Sequence, residues 1–239
     1  MKIVILGTGN VATNLVHGFE QRDVRVKMHN SRNLTDLPEA DCYIYAVADQ
    51  ALAEVAAQVH APRALHLHTS GTVPLSVFGE DKPHAGVLYF FQSFSKASLI
   101  NDWSTIPVFI EGRQIDDLAA IYTLAQTLTS RIFECTQHDR ERLHVAGVFA
   151  NNFTNLMYRI SADLLRDTTI PFQVLLPLID HTAQKIHTIL PEEAQTGPAM
   201  RDDRAVMAHH LSLLNSEQQA VYTLLSEMIT SSRPSRDLA

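Results

Sequence analysis

The chain has 239 residues, 46% of them hydrophobic, and a formal net charge of −7, enough for a sizeable core in one large or two small domains. The acidic balance gives no electrostatic reason to expect nucleic acid or an anionic membrane as partner, and no apolar run approaches membrane-spanning length. Its two cysteines, Cys42 and Cys135, fit no metal-ligand spacing and read as small buried hydrophobes; with a strand at the very start leaving no room for a signal peptide, a cytoplasmic protein is expected.

Ile3 to Leu6 is a short, fully apolar run, as expected of a strand buried on both faces. Gly7-x-Gly9-x-x-Ala12 follows at once, and Val11, Leu15 and Phe19 then recur at helical spacing. Strand, glycine turn and helix form the setting of a dinucleotide fingerprint. Gly7 permits the tight turn, Gly9 lets backbone N–H groups approach a pyrophosphate, and Ala12 lets the helix pack on its strand. The helix N-terminus adds free N–H groups and partial positive charge. A turn that merely needs small residues is the plain alternative.

Val24 to His29 reads as the second strand. Folds that bind NAD usually place an acid near this point, about twenty residues past the glycines. The chain instead reads Asn30-Ser31-Arg32-Asn33. Arg32 can stack on adenine and pair with a 2′-phosphate, and Asn30 and Ser31 can donate hydrogen bonds to it. These residues point to NADP(H); otherwise Arg32 is a solvated loop charge. Asp41 to Val47 is the third strand, and Asp49 then either caps the helix from about Ala51 to Val59 or meets a ligand. Arg63 to Thr69 is the fourth strand. Ser70 and Gly71 follow its C-terminal end, where ligands collect in parallel sheets, although Ser70 can equally cap the next turn. His66 and His68 share one strand face, and with no third ligand nearby they read as hydrogen-bonded neutral histidines. Gly86 to Phe91 and Ile106 to Gly112 are further strands, the latter placed at an edge by Pro107. A helix over 116–128 and a strand over 131–134 end the α/β alternation.

From Asp139 onward the pattern is helical. Asp139 to Arg166 reads as one long helix with Phe149, Phe153, Leu156 and Ile160 on its apolar face. His144, Asn151 and Asn155 fall on the opposite face, within about 20° of each other at about 100° per residue. Asparagine is a mediocre helix former, so this face is read either as meeting a ligand or partner or as ordinary solvated surface. A helix from Pro171 to Leu190 carries Lys185 beside His181 and His187, with Pro177 expected to kink it. A helix over 205–214 follows, and Ser216 to Gln219 reads as a capping box for the last helix. The expected organisation is an α/β class protein: a Rossmann-like, mostly parallel sheet domain at 1–136, an all-α helical domain at 137–230, and a flexible tail at 231–239. So small a helical domain with long helices is expected to pair with a second copy, giving a homodimer.

Taken together, these pieces resemble the Rossmann-like proteins with a C-terminal helical domain of unknown function, assigned as NADP oxidoreductases. That group is related in architecture to pyrroline-5-carboxylate reductase, 6-phosphogluconate dehydrogenase and ketopantoate reductase. The matching pieces are Gly7-Thr8-Gly9-Asn10-Val11-Ala12, Asn30-Ser31-Arg32, Ala46-Val47-Ala48-Asp49, His68-Thr69-Ser70-Gly71, Phe91-Gln92-Ser93-Phe94, Leu143-His144 through Asn152-Phe153, and 196–201. The resemblance implies NADP(H) binding, with Val47 among the expected contacts, and a cleft between the two domains for a small-molecule substrate, with Gln92 a candidate contact. One departure stands out: the family often has His-Pro-Leu-Gln-Thr-Phe, and this chain has Tyr89-Phe90-Phe91-Gln92-Ser93-Phe94, so if that histidine does chemistry Tyr89 must substitute or the chemistry differs.

An NADP(H)-dependent oxidoreductase of a small C=O or C=N compound is the leading expectation, with the cofactor carrying hydride. His144 and Lys185 are candidate proton donors. Asn152 and Ser70 are candidates for orienting a carbonyl, and Arg201 for holding a substrate carboxylate bidentately. The alternative is a non-catalytic NADP(H)-binding sensor or assembly module, to which Tyr89 in place of the family histidine lends weight. A metal hydrolase lacks a ligand triad.

Overall fold

Ile3–Leu6 forms β1, and its residues alternate between two cores. Ile3 and Ile5 pack with Leu15 and Phe19 of α1 (Asn10–Glu20). Val4 and Leu6 pack with Leu52 and Val55 of α2 (Asp49–Gln58). Helices on both faces leave a strand no polar side, hence the unbroken apolar run. The same burial holds along β3 (Cys42–Tyr45), β4 (Leu65–His68) and β5 (Ala85–Phe90). In this computed structural model, which describes residues 1–232, they join β2 (Val26–His29), β6 (Val108–Gly112) and β7 (Ile132–Glu134) in one seven-stranded sheet. Its order is β2-β1-β3-β4-β5-β6-β7, and every neighbouring pair is parallel except β5 and β6.

The strand order reverses at β1, with β2 on one side and β3 on the other. Such a switch point opens a crevice at the strand C-termini, where ligands bind in open α/β sheets. The edge position expected for Ile106–Gly112 is corrected: β6 pairs on both sides. Pro107 stands just before the strand, where its carbonyl accepts from the Phe91 N–H at 2.9 Å and its missing donor interrupts no ladder. Cys42 is fully buried, whereas Cys135 is only half-buried.

The chain divides into two compact units, Met1–Phe153 and Thr154–Ala239. The first holds the sheet, α1, α2, α3 (Ile115–Gln126), α4 (Gln137–Gly147) and a π-helical segment at Val148–Phe153. The single helix expected over 139–166 is thus three successive pieces, the third being α5 (Thr154–Leu165) of the second unit. That unit continues with α6 (Leu176–Lys185), α7 (Pro191–Ala194), α8 (Pro198–Arg201), α9 (Arg204–Ser212) and α10 (Ser216–Ser231). Pro177 does not kink a helix; it lies in the first turn of α6, where proline's missing N–H has no intrahelical partner to lose. The last helix is capped by Asn215 and not by Ser216, with Asn215 and Gln218 forming the reciprocal pair. Ser231 and Ser232 apart, the expected 231–239 tail lies outside the described residues. Among the described residues no helix is long and apolar enough to cross a membrane.

Candidate functional site

The glycine turn lies at the switch point. Gly7 adopts φ +126, and a Cβ on it would stand 2.2 Å from the Ala46 carbonyl oxygen at the end of β3. No side chain fits there, so the ends of β1 and β3 abut through backbone alone. Val47 borders the same turn, with its Cγ1 3.5 Å from that Cβ position. Gly9 is the N-cap of α1 in extended conformation, and nothing lies within 4 Å of where its Cβ would be. No side chain caps this helix and its first turn carries no acid. Its leading N–H groups therefore face open space with the helix dipole behind them, a cradle matched to an anion. Ala12 is fully buried and brings α1 onto the sheet.

After β2 the chain turns on an Asx contact, the Arg32 N–H donating to Asn30 Oδ1 at 3.1 Å. Ser31 is half-buried; Thr8, Asn10, Asn30 and Arg32 are exposed. No ion pair among the described residues involves Arg32. The loop after β5 is tied across α1: Asn10 Oδ1 accepts from the Lys96 N–H at 3.2 Å. The buried Asn14 bonds the Ser95 carbonyl and the Ile100 N–H at 3.0 and 2.9 Å.

A second constellation lies beyond β4 and β5. Tyr89, near the end of β5, shares a hydrogen bond of 3.0 Å with Nδ1 of His144 on α4. The two border a cavity of about 360 Å³ with Phe91, Gln92, Asn151 and Asn152. Glycines make this approach possible. A Cβ on Gly71 would lie 2.6 Å from His144 Nδ1, and one on Gly147 would lie 2.7 Å from the Phe91 ring. One turn before His144, the fully buried Arg140 pins α4 to the sheet, pairing with the Glu111 carboxylate on β6 and donating to the Val73 carbonyl at 2.8 Å. Immediately after α4 the π-helical segment delivers Asn151 and Asn152 to the cavity, and such segments are frequent at functional sites. Burial raises the Tyr89 phenol to about 12, with Arg140 opposing the rise.

The other expected site residues make contacts of their own. Ser70 Oγ accepts from the Thr72 and Val73 N–H groups at 3.1 and 3.0 Å and so caps the turn after β4. Asp49 does not cap α2; its carboxylate accepts from the Thr72 hydroxyl at 2.7 Å. His66 bonds Tyr45 and the Ala61 carbonyl, each at 2.9 Å, and no cluster of metal ligands occurs among the described residues. Lys185 and Arg201 belong to the second unit, where the Lys185 ammonium donates to the Ala194 carbonyl at 2.9 Å and Arg201 is exposed on α8. Tyr89 was expected in a site only as the stand-in for the family histidine, and nothing in the spacing of Arg140 or Glu111 marks them.

The comparisons agree with this architecture. The family model described as Domain of unknown function (DUF2520) matches residues 106–229. A Bacteroides fragilis protein of known structure, provisionally named an NADP oxidoreductase, is 37% identical, with 96% of this chain and 98% of that one covered and a TM-score of 0.91. An imine reductase from Myxococcus stipitatus in complex with NADP⁺ is 11% identical, with 97% and 92% covered and a TM-score of 0.62. A Plasmodium falciparum pyrroline carboxylate reductase with NADP bound is 9% identical, with 98% of each chain covered and a TM-score of 0.59. The last two are similar to this chain in fold. No curated protein matches the chain.

Proposed function

We propose that this chain, which belongs to the DUF2520 family, is an NADP(H)-dependent oxidoreductase acting on a small C=O or C=N substrate. One observation carries the reading: the uncapped N-terminus of α1 opens over Gly9 at the switch point, with Arg32 where an acid would select NAD. Gly7, Thr8, Gly9, Asn10 and Val11 hold the pyrophosphate, Val47 lines the nucleotide, and Asn30, Ser31 and Arg32 take the 2′-phosphate. The bound nicotinamide supplies hydride chemistry. His144 is the imidazole of the first unit's cavity, with Gln92 and Asn152 orienting the substrate. Arg201, the residue expected to hold a substrate carboxylate, stands exposed on α8 of the second unit. Ser70 shapes the turn beneath the site, and Lys185 braces α6 in the second unit. The bond between Tyr89 and His144 favours catalysis over a non-catalytic sensor, because the position that departs from the family pattern is joined to an ionisable partner. We further propose a homodimer formed through the helical unit and a cytoplasmic setting in which Cys42 and Cys135 stay reduced.

Calorimetric titration with NADPH and, separately, NADH tests the cofactor assignment. NADPH should bind more tightly, and Arg32→Ala should lose about ten- to a hundredfold in NADPH affinity, the value of a charge-assisted contact, while NADH binding holds. If neither nucleotide bound the wild-type protein, the glycine turn would be structural only.

A further inference from the structure

We infer that the reacting group of the substrate is a carbonyl oxygen, that Tyr89 protonates it, and that an imine is not turned over in this cavity. The inference rests on the reductase reading above and narrows it. The lining of the cavity contains a phenol, an imidazole, the Ser93 hydroxyl and the side-chain amides of Gln92, Asn151 and Asn152; it contains no carboxylate and no lysine or arginine. An imine accepts hydride only as the iminium cation. A site for it must hold the cation beside a carboxylate, and the lining contains none.

A ketone or aldehyde makes the opposite demand. It enters neutral, and negative charge develops on oxygen as hydride adds to carbon. Neutral donors fixed around that oxygen, a phenol O–H and amide N–H groups, are the arrangement that stabilises it. The phenol, held by burial on the weakly acidic side of its ordinary range, is still a far stronger acid than an alcohol, so proton transfer to the developing alkoxide runs downhill.

The step balances as follows. Bound NADPH would supply hydride to the carbonyl carbon, and the C=O π pair would move onto oxygen. The Tyr89 O–H bond breaks as the product O–H bond forms. The phenolate regains a proton through the His144 ring, Nδ1–H donating to it as Nε2 takes a proton from solvent. Tyr89 is the catalytic residue; His144 is a positioning and reloading residue, seated by the absence of a side chain at Gly71 and by the Arg140 anchor one turn earlier.

The test uses the full chain with cyclohexanone and acetophenone as carbonyl probes and 2-methyl-1-pyrroline as the imine probe. Calorimetry with NADPH comes first. Absence of binding overturns the reductase reading, and this inference with it. Given binding, NADPH oxidation should occur with a ketone and not with the imine. Tyr89→Phe should lower kcat about a hundredfold or more, in the range of a lost general acid, with the affinity for NADPH unchanged.

A second readout does not depend on turnover. In the NADP⁺ complex, which cannot reduce a ketone, the added ketone should draw the Tyr89 hydroxyl off His144 and shift the Nδ1 resonance in ¹⁵N spectra. Tyr89→Phe should abolish that shift. Faster turnover of the imine, undiminished kcat in Tyr89→Phe, or NADPH binding with neither reduction nor an Nδ1 shift from either ketone would each overturn the assignment.

Discussion

His68 is fully buried on β4, with Nδ1 accepting from the Ser70 N–H at 3.3 Å and Nε2 meeting no hydrogen-bond partner among the described residues. Burial, reinforced by the Arg140 charge, pushes its pKa down from 6.5 to about 3. The folded protein therefore holds His68 neutral where the unfolded chain would protonate it. Between those two values the unfolded state binds more protons, so stability falls as pH falls. The loss begins near pH 6.5 and is complete near pH 3, amounting to several kcal/mol. Burial lowers His66 in the same direction. Urea unfolding at pH 7, 5.5 and 4.5 should thus show stability already declining above the range where carboxylates protonate. In His68→Gln most of that slope should vanish; an unchanged slope would locate the acid sensitivity elsewhere.

At the level of elements, the placing of α4 depends on one cation. Arg140 joins α4 to β6 through Glu111 and to the turn after β4 through the Val73 carbonyl, with its guanidinium wholly out of water. Removing one partner of a buried pair costs about 3–5 kcal/mol, and because Glu111 keeps 25% exposure the lower end, about 3 kcal/mol, applies. Arg140→Ala should show a loss of that size in urea unfolding. Arg140→Lys should recover only part, since a point ammonium cannot reach both acceptors as a planar fork does. Full stability in Arg140→Ala would mean that packing alone holds the helix.

These elements also show what could be read from the chain. The strands and α1 were legible because burial on both faces writes continuous apolar runs, and because the Gly7 turn tolerates no side chain. The π-helical segment was not, because its altered hydrogen bonding leaves no mark in composition, and a helix drawn at uniform pitch passes straight through Val148–Phe153. His144 could be singled out on its helix face. The partnership with Tyr89 joins residues 55 apart in sequence and becomes visible only when β5 and α4 are brought together. The edge position expected of β6 failed for a related reason: a proline just outside a strand constrains that strand's pairing far less than one within it.

At the scale of the whole molecule, the two units differ in how they meet water. The first encloses two well-filled cores. In the second, Ala199 is the only buried hydrophobic side chain among the described residues, while Leu178, Leu190, Leu213, Leu224 and Met228 are each more than half exposed. Monomeric soluble proteins rarely expose so many large apolar side chains on so small a unit. A stable partner surface of standard size would bury about 800 Å² on each side, and a second copy of the chain offers the same apolar set in return, as a two-fold interface requires. Light scattering behind a sizing column should therefore give about twice the 26.7 kDa chain mass. Leu224 and Met228 lie one turn apart on the same face of α10. Changing both to glutamate should shift the protein to monomer, and because the first unit has its own cores, NADPH binding at the glycine turn should survive. A wild-type protein that runs as a monomer at micromolar concentration would remove the second copy as the occupant of this face.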